Sequence, residues 1–347
     1  MSADAAGPIV PCMMRAALFF LAACFVAGPV LAEAPRLGLP VACALGTDCA
    51  VQNYVDTDPG TAWKDYTCGA MTYDGHDGTD FRIADLDMLR AGIPVVAAAA
   101  GTVLRTRDGM ADGQYRKDAS TVSEERACGN GLILDHGDGW TTQYCHMRKG
   151  SLAVHSGDRV EAGALLGFIG QSGWAEFPHL HFEVARNGEP ADPFTADAAH
   201  ETPAIAACGV SGKGLWRDDV ARLLAYRAPL VLNTGFAAGR IGMDDIDSRA
   251  RTIQRLMQDM PALVFYGRAI GLSPGDRQRI VITPPDGSAF VENTTDPETR
   301  PRAQAMAFAG KKRPVDGWQP GNYRATYQVL RDGRVVSERS QAIALSQ

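Results

Sequence analysis

The chain has 347 residues, room for about two domains, and is 46% hydrophobic, 21% charged and 7% aromatic, which excludes a disordered chain. Lys+Arg 34 against Asp+Glu 40 leave a net charge of −6; with no basic block, a phosphate-tracking nucleic-acid binder is excluded as well. The 37 glycines and 20 prolines imply many turns and favour a β-rich architecture over a helix bundle.

The chain opens with Ala16–Ala32, AALFFLAACFVAGPVLA, preceded by Arg15 and followed by Glu33. The run is shorter than the ~20 apolar residues of a membrane span, and Gly28-Pro29 interrupts it. Val30-Leu31-Ala32 supplies the small-residue pattern of a secretory cleavage site, so residues 1–32 read as a signal peptide, with Met13 or Met14 as alternative starts. The mature chain is therefore expected to be exported, periplasmic or secreted, with no transmembrane span. A competing reading is lipidation at Cys24, because Leu21-Ala22-Ala23-Cys24 resembles a lipobox; the apolar run continuing past Cys24 argues against it. Removal of the signal leaves Cys43, Cys49, Cys68, Cys128, Cys145 and Cys208, and no C-x-x-C is present. Six thiols in an exported chain read as up to three disulfides. Cys128 and Cys145 flank a hairpin centred on Asp135–Gly139 almost symmetrically, so they are expected to pair; the other four allow three connectivities.

Residues 33–70 form a Cys-containing lead-in with little periodicity. From 71 to 198 the pattern is short strands and turns: Ile93–Ala100 reads as a buried strand and Val160–Ile169 as another, broken by glycines. Between them Arg105–Ala127 is charged and glycine-dotted, too long for an ordinary connection, and reads as a functional loop or a floppy one. Residues 199–225 resemble a linker with one short helix near Asp218–Ala225. Residues 226–347 hold further strands, at Ala262–Tyr266, Arg279–Ile282 and Tyr323–Val336, the last with an Asp332-Gly333 hairpin signal, and suggest a small β-sandwich. The fold class is thus mainly β, an antiparallel-sheet domain followed by a C-terminal β-sandwich of unknown role.

All seven histidines precede the second unit. Three patterns matter: His76-Asp77-Gly78-Thr79-Asp80, an H-x-x-x-D; Tyr144-Cys145-His146-Met147; and Pro178-His179-Leu180-His181-Phe182-Glu183-Val184, an H-x-H on a strand. A catalytic zinc site takes three protein ligands and keeps a position open for water. His76 and Asp80 offer a nitrogen and an oxygen. His179 and His181, two apart on a strand, share a face about 7 Å apart, so one can ligate while the other faces water or substrate. Two neutral imidazoles and one carboxylate leave a site near net +1, enough to acidify a bound water. Gly209–Lys213 lacks the spacing of a phosphate loop, and Gly170–Gly173 is no nucleophile elbow. His136 reads as structural, and His155 and His200 as surface residues. Glu183 shares the His181 face and either orients a ligand or is solvated; Tyr144 is a candidate groove residue.

Together, His76–Asp80, Gly92–Val103, Tyr144–Met147, Val160–Gly163 with Gly167 and Gly170, and Gly173–Val184 with Asn187-Gly188 and Asp192-Pro193 resemble the lysostaphin/LytM-type zinc metallopeptidases, the murein endopeptidases of the duplicated hybrid motif family. The resemblance covers about residues 71–198. It implies a LytM-like antiparallel β-sheet, Zn2+ held by His76, Asp80 and His181, and His146 and His179 as the catalytic pair beside it. It further implies an endopeptidase acting on peptidoglycan cross-links or stem peptides through a metal-activated water. Trp174-Ala175-Glu176-Phe177 replaces the family's usual small residues, and the Arg105–Ala127 insertion is long; both bear on substrate choice. Some relatives lack the ligands and activate wall amidases instead, but all five positions are filled here. A latent enzyme blocked around Asn53 is a third reading, against which Asn53 is a plain turn residue. A wall- or carbohydrate-binding role suits the C-terminal unit better than the first, and a wall-associated protein partner stays unidentified.

Overall fold

The computed structural model describes residues 34–196, 207–209, 214–288 and 290–346. The signal peptide, the lipobox around Cys24 and His200 lie outside the described residues. The front strands are β1 (Cys49–Asn53), β2 (Gly78–Ile83), β3 (Pro94–Val96), β4 (Gly101–Arg107), β5 (Asn130–Gly137), β6 (Trp140–Met147), β7 (Arg159–Val160), β8 (Leu165–Phe168), β9 (His179–Arg186) and β10 (Glu189–Pro190). They form an antiparallel sheet in the order β1-β2-β9-β6-β5-β4-β7, with β10 on β9 and a separate β3-β8 pair. Strand alternation gives this sheet one apolar face. Phe81 of β2, Leu180, Phe182 and Val184 of β9, Tyr144 of β6 and Leu132 and Leu134 of β5 are all buried in one cluster with Val95, Leu166 and Trp216. Each such side chain contributes on the order of 1.5–3 kcal/mol by leaving water. The opposite face carries Asp80, His179 and His181.

Several expectations shift. The Ile93–Ala100 run is a strand only over Pro94–Val96; Ala97, Ala98 and Ala99 are buried all the same, small residues filling the core from a bend. The lead-in supplies the edge strand β1, paired antiparallel with β2, so Asn53 ends a strand and is no turn residue. Tyr144 does not line a groove. It lies wholly buried on the apolar face, and its hydroxyl accepts from the Ala98 amide at 2.9 Å. The Arg105–Ala127 insertion is ordered: a short helix, Gln114–Lys117, and two single 3-10 turns, Ala119–Thr121 and Glu124–Arg126, are pinned to the loop around Gln171 by Gly113 N–Gln171 O (2.8 Å) and Gln171 N–Asp112 Oδ1 (2.7 Å).

Downstream lie β11 (Leu230–Ala237), β12 (Thr252–Ile253), β13 (Leu256–Met257), β14 (Ala262–Leu272), β15 (Arg277–Thr283), β16 (Val291–Thr294), β17 (Arg302–Lys312), β18 (Asn322–Arg331) and β19 (Arg334–Ser346). They make a four-stranded sheet, β12-β11-β14-β17, and a five-stranded one, β13-β19-β18-β15-β16. Phe236, Leu263 and Phe265 of the first share one apolar cluster with Ile280, Tyr323, Tyr327 and Ile343 of the second. The Asp332-Gly333 turn joins β18 to β19.

Disulfides join Cys43–Cys49, Cys68–Cys208 and Cys128–Cys145; the third is the cross-strand pair anticipated from the hairpin. Such bonds persist in oxidising compartments. No helix among the described residues is long and apolar enough to cross a membrane.

Asp192 gives this core a pH signature. It is buried beside Phe194, and burial pushes its carboxyl up to about 6. The folded chain therefore holds a proton that the unfolded chain has released between about pH 4 and 6, so stability falls as pH rises through that window. Asp192→Asn retains an acceptor for the Phe194 amide, now 2.9 Å away. It is expected to stabilise the fold at pH 7 by roughly 2–3 kcal/mol and to leave stability at pH 4 unchanged, as read by denaturant melts at both pH values.

Candidate metal centre

Register sets the site. β2 and β9 pair so that Asp80 faces His181 and Arg82 faces His179, and β9 pairs with β6 at His181–Cys145. His76 precedes β2. Regular alternation would put His146 on the apolar face with Tyr144, but His146 takes a left-handed backbone, φ 62°. That conformation costs a non-glycine residue of order 1–3 kcal/mol. It turns the ring toward the open face, where its centroid lies 4.5 Å from that of His179. The structure thus brings His76, Asp80, His146, His179 and His181 into one cluster.

Three donor atoms form a triangle: His76 Nε2 to Asp80 Oδ1 is 3.2 Å, His76 Nε2 to His181 Nδ1 3.2 Å, and His181 Nδ1 to Asp80 Oδ1 3.0 Å. The far nitrogen of each ring fixes its tautomer. His76 Nδ1 faces the Tyr54 carbonyl at 2.7 Å and must donate to it, so its Nε2 carries a lone pair. His181 Nε2 lies 3.2 Å from Asp77 Oδ1, which leaves the lone pair on Nδ1. Two nitrogen lone pairs and a carboxylate oxygen, mutually repulsive and buried, therefore converge on one point, and only a positive charge reconciles them. Three corners of a tetrahedron built on 2.0–2.1 Å bonds lie about 3.3 Å apart, close to the edges seen, so the donor set fits zinc. Asp80 Oδ2 accepts from Asn53 Nδ2 at 2.7 Å, which holds Oδ1 toward the triangle.

The electrostatics agree. Against burial, His76, His179 and His181 hold the Asp80 carboxyl well below the usual carboxylate range. Against burial, Asp77 and Asp80 hold His181 up at about 10, the mark of surroundings that favour positive charge. Burial holds His146 and His179 below the ordinary imidazole range. Their Nδ1 atoms donate to Ser172 O at 2.7 Å and Phe177 O at 2.8 Å, so both present an unprotonated Nε2.

Gly78 makes room for this arrangement. A Cβ there would meet His181 Cε1 and Nε2 at 2.6 Å. Gly78→Ala is expected to displace the His181 ring and weaken metal binding at least about tenfold, comparable to disturbing a ligand's outer partner, with circular dichroism unchanged; equal affinity in a competitive chelator titration counts against it.

Asp77 is the residue that sequence reasoning passed over. Its neighbour Glu183 instead accepts from Gln143 Nε2 at 2.8 Å. The signal for Asp77 was available, since a ligating imidazole needs an acceptor on its other nitrogen and Asp77 sits inside the H-x-x-x-D. Asp77→Asn is expected to lower metal affinity by about 10–100-fold, measured by the same titration. His136 bonds Ala100 O and Thr142 Oγ1 at 2.7 and 2.8 Å, and exposed His155 lies 3.7 Å from Asp158; neither reaches the site.

Comparison with known proteins bears directly on this cluster. Residues 74–193 match the model of peptidase family M23. That stretch is what the chain shares with the M23 peptidases. The chain is 29% identical over 122 residues to the peptidoglycan DD-endopeptidase ShyA of Vibrio cholerae, covering 35% of this chain and 23% of that protein. It is 31% identical over 105 residues to the DD-carboxypeptidase/endopeptidase Mpg of Neisseria meningitidis, 30% of this chain and 22% of that one. It is also 31% identical over 102 residues to the lipoprotein NlpD/LppB homolog of Pseudomonas aeruginosa, 29% of this chain and 28% of that one. The chain thus spans about a quarter of the length of the curated relatives it matches.

Proposed function

We propose that the protein is an exported, zinc-dependent endopeptidase that hydrolyses peptide bonds in the cross-links or stem peptides of bacterial peptidoglycan. The observation that carries this reading is the triangle of His76 Nε2, Asp80 Oδ1 and His181 Nδ1, three lone-pair donors facing one another at 3.0–3.2 Å in a domain whose named relatives include endopeptidases. These three residues hold the ion. When bound, it polarises a carbonyl and lowers the pKa of water toward neutrality. His146 and His179 sit beside the triangle, with His179 Nε2 3.6 Å from Asp80 Oδ1. Neutral and unprotonated at Nε2, the pair takes the proton of the attacking water, and the imidazolium so formed stabilises the oxyanion and delivers that same proton to the leaving amine. The carbonyls of Ser172 and Phe177 keep both rings in the required tautomer.

A second reading, a non-enzymatic activator of wall amidases, is favoured by the likeness to the NlpD/LppB homolog. Complete filling of all five positions supports the enzyme instead. Digestion of purified sacculi by the zinc-reconstituted chain, with the released fragments identified by mass spectrometry, tests the two. New peptide ends support the endopeptidase; no release except in the presence of an amidase overturns it.

A further inference from the structure

The open face of the sheet continues past the metal centre as a row of side chains crossing the strands. Register places Glu183 beside Gln143, Gln143 beside Ile133, and Ile133 beside Arg105. The parallel row through His181 and Cys145 ends on Arg107, which pairs with Gly131. Strict alternation from buried Val103 would send Arg105 and Arg107 into the core. A one-residue bulge at Leu104, where the β4–β5 register shifts, turns both onto the face that carries the histidines. Bulges that re-aim side chains in this way recur next to active sites.

The two arginines border a cavity of about 350 Å³ with Gln143, Ile133, Cys128 and Glu125. Arg107 Nη1 donates to the Glu125 backbone carbonyl at 3.0 Å, which ties it to the insertion. Among the described residues neither guanidinium has a carboxylate within salt-bridge range, and Arg105 acts on the Glu183 carboxyl only from farther off. Cys128 on the cavity wall is bonded to Cys145, the neighbour of His146, so cavity and reactive strand are covalently joined.

We infer that this cavity is a substrate subsite in which Arg105 and Arg107 bind a carboxylate of the cross-linked peptide. The inference rests on the endopeptidase reading and extends it to substrate selection. The distance is suitable: β4 lies three strand spacings from β9, about 14 Å, which an extended peptide covers in about four residues. The recognised carboxylate therefore lies about three or four residues from the scissile bond. A guanidinium pair suits it because Arg offers planar, charge-assisted donors that an amide does not satisfy equally.

The test compares a cross-linked stem-peptide dimer carrying free carboxylates with the same dimer amidated. The full-length zinc-loaded chain and its Arg105→Gln/Arg107→Gln variant are assayed for hydrolysis of both. Binding of non-hydrolysable versions is measured by fluorescence anisotropy. The wild type is expected to bind the acid about tenfold more tightly than the amide. The variant is expected to lose that preference through KM, with kcat within about twofold and amide hydrolysis unchanged. Equal binding of acid and amide by the wild type overturns the subsite, and sacculus digestion then still upholds the endopeptidase. Acid-selective binding by a chain that digests no sacculi upholds carboxylate recognition and overturns hydrolysis.

Discussion

Replacing Asp80 with alanine is expected to remove metal binding and wall hydrolysis together while leaving the chain folded. Asp80 is the sole anion in the triangle, and without it two imidazole lone pairs face each other at 3.2 Å with no negative charge to offset a cation. Loss of an outer partner alone weakens metal sites about 10–100-fold, so loss of this ligand should exceed a hundredfold. His76, His179 and His181 hold Asp80 ionised against its burial, so its removal costs some stability even though its desolvation penalty goes with it, and circular dichroism checks that the variant is folded. What remains is the Asn53 amide without its acceptor, a penalty of about 1–3 kcal/mol. Elemental analysis after reconstitution should find about one zinc per wild-type chain and none in the variant, and His181→Ala should behave alike. Undiminished clearing of a sacculus zymogram by either variant refutes the ligand assignment.

How much of this was legible beforehand follows from how local each feature is. H-x-x-x-D and H-x-H are short, and period-two alternation is enough to put His179 and His181 on one face; the same alternation made the Cys128–Cys145 hairpin readable. Register between distant strands is a tertiary property, so the Asp80–His181 juxtaposition could be named only through resemblance to a family. Alternation misled where the backbone breaks it: His146 reaches the site through a left-handed residue, and Arg105 and Arg107 reach the open face through a bulge. Neither device leaves a glycine or proline to announce it. Tyr144 was misplaced for the opposite reason. It obeys alternation, and its polar hydroxyl hid the fact that the Ala98 amide satisfies it inside the core. The lead-in looked structureless because β1 is only five residues long and owes its form to pairing with β2.

Alanine at His146 or His179 separates chemistry from metal binding. Neither ring belongs to the triangle, and each is held by a backbone carbonyl through Nδ1, so both variants should retain about one zinc per chain. Their sacculus hydrolysis should fall by about 10²–10⁴-fold, the range for removal of a positioned proton-transfer group. The loss should appear in kcat with little change in KM, because the missing interaction is made as the proton moves. With centroids 4.5 Å apart, the two rings are close enough to act on one water and one leaving group, as the proposed mechanism requires. The double variant should therefore be only slightly slower than the worse single one, since groups that act as a unit are strongly non-additive. A chain that worked only by activating another hydrolase would give a different pattern: removing either ring would leave amidase stimulation intact, and metal-dependent hydrolysis by the purified chain would be absent from the start. Retained zinc with retained rate in His179→Ala would remove that residue from the proton path and leave His146 to carry it alone, an outcome the His146→Ala rate then checks independently.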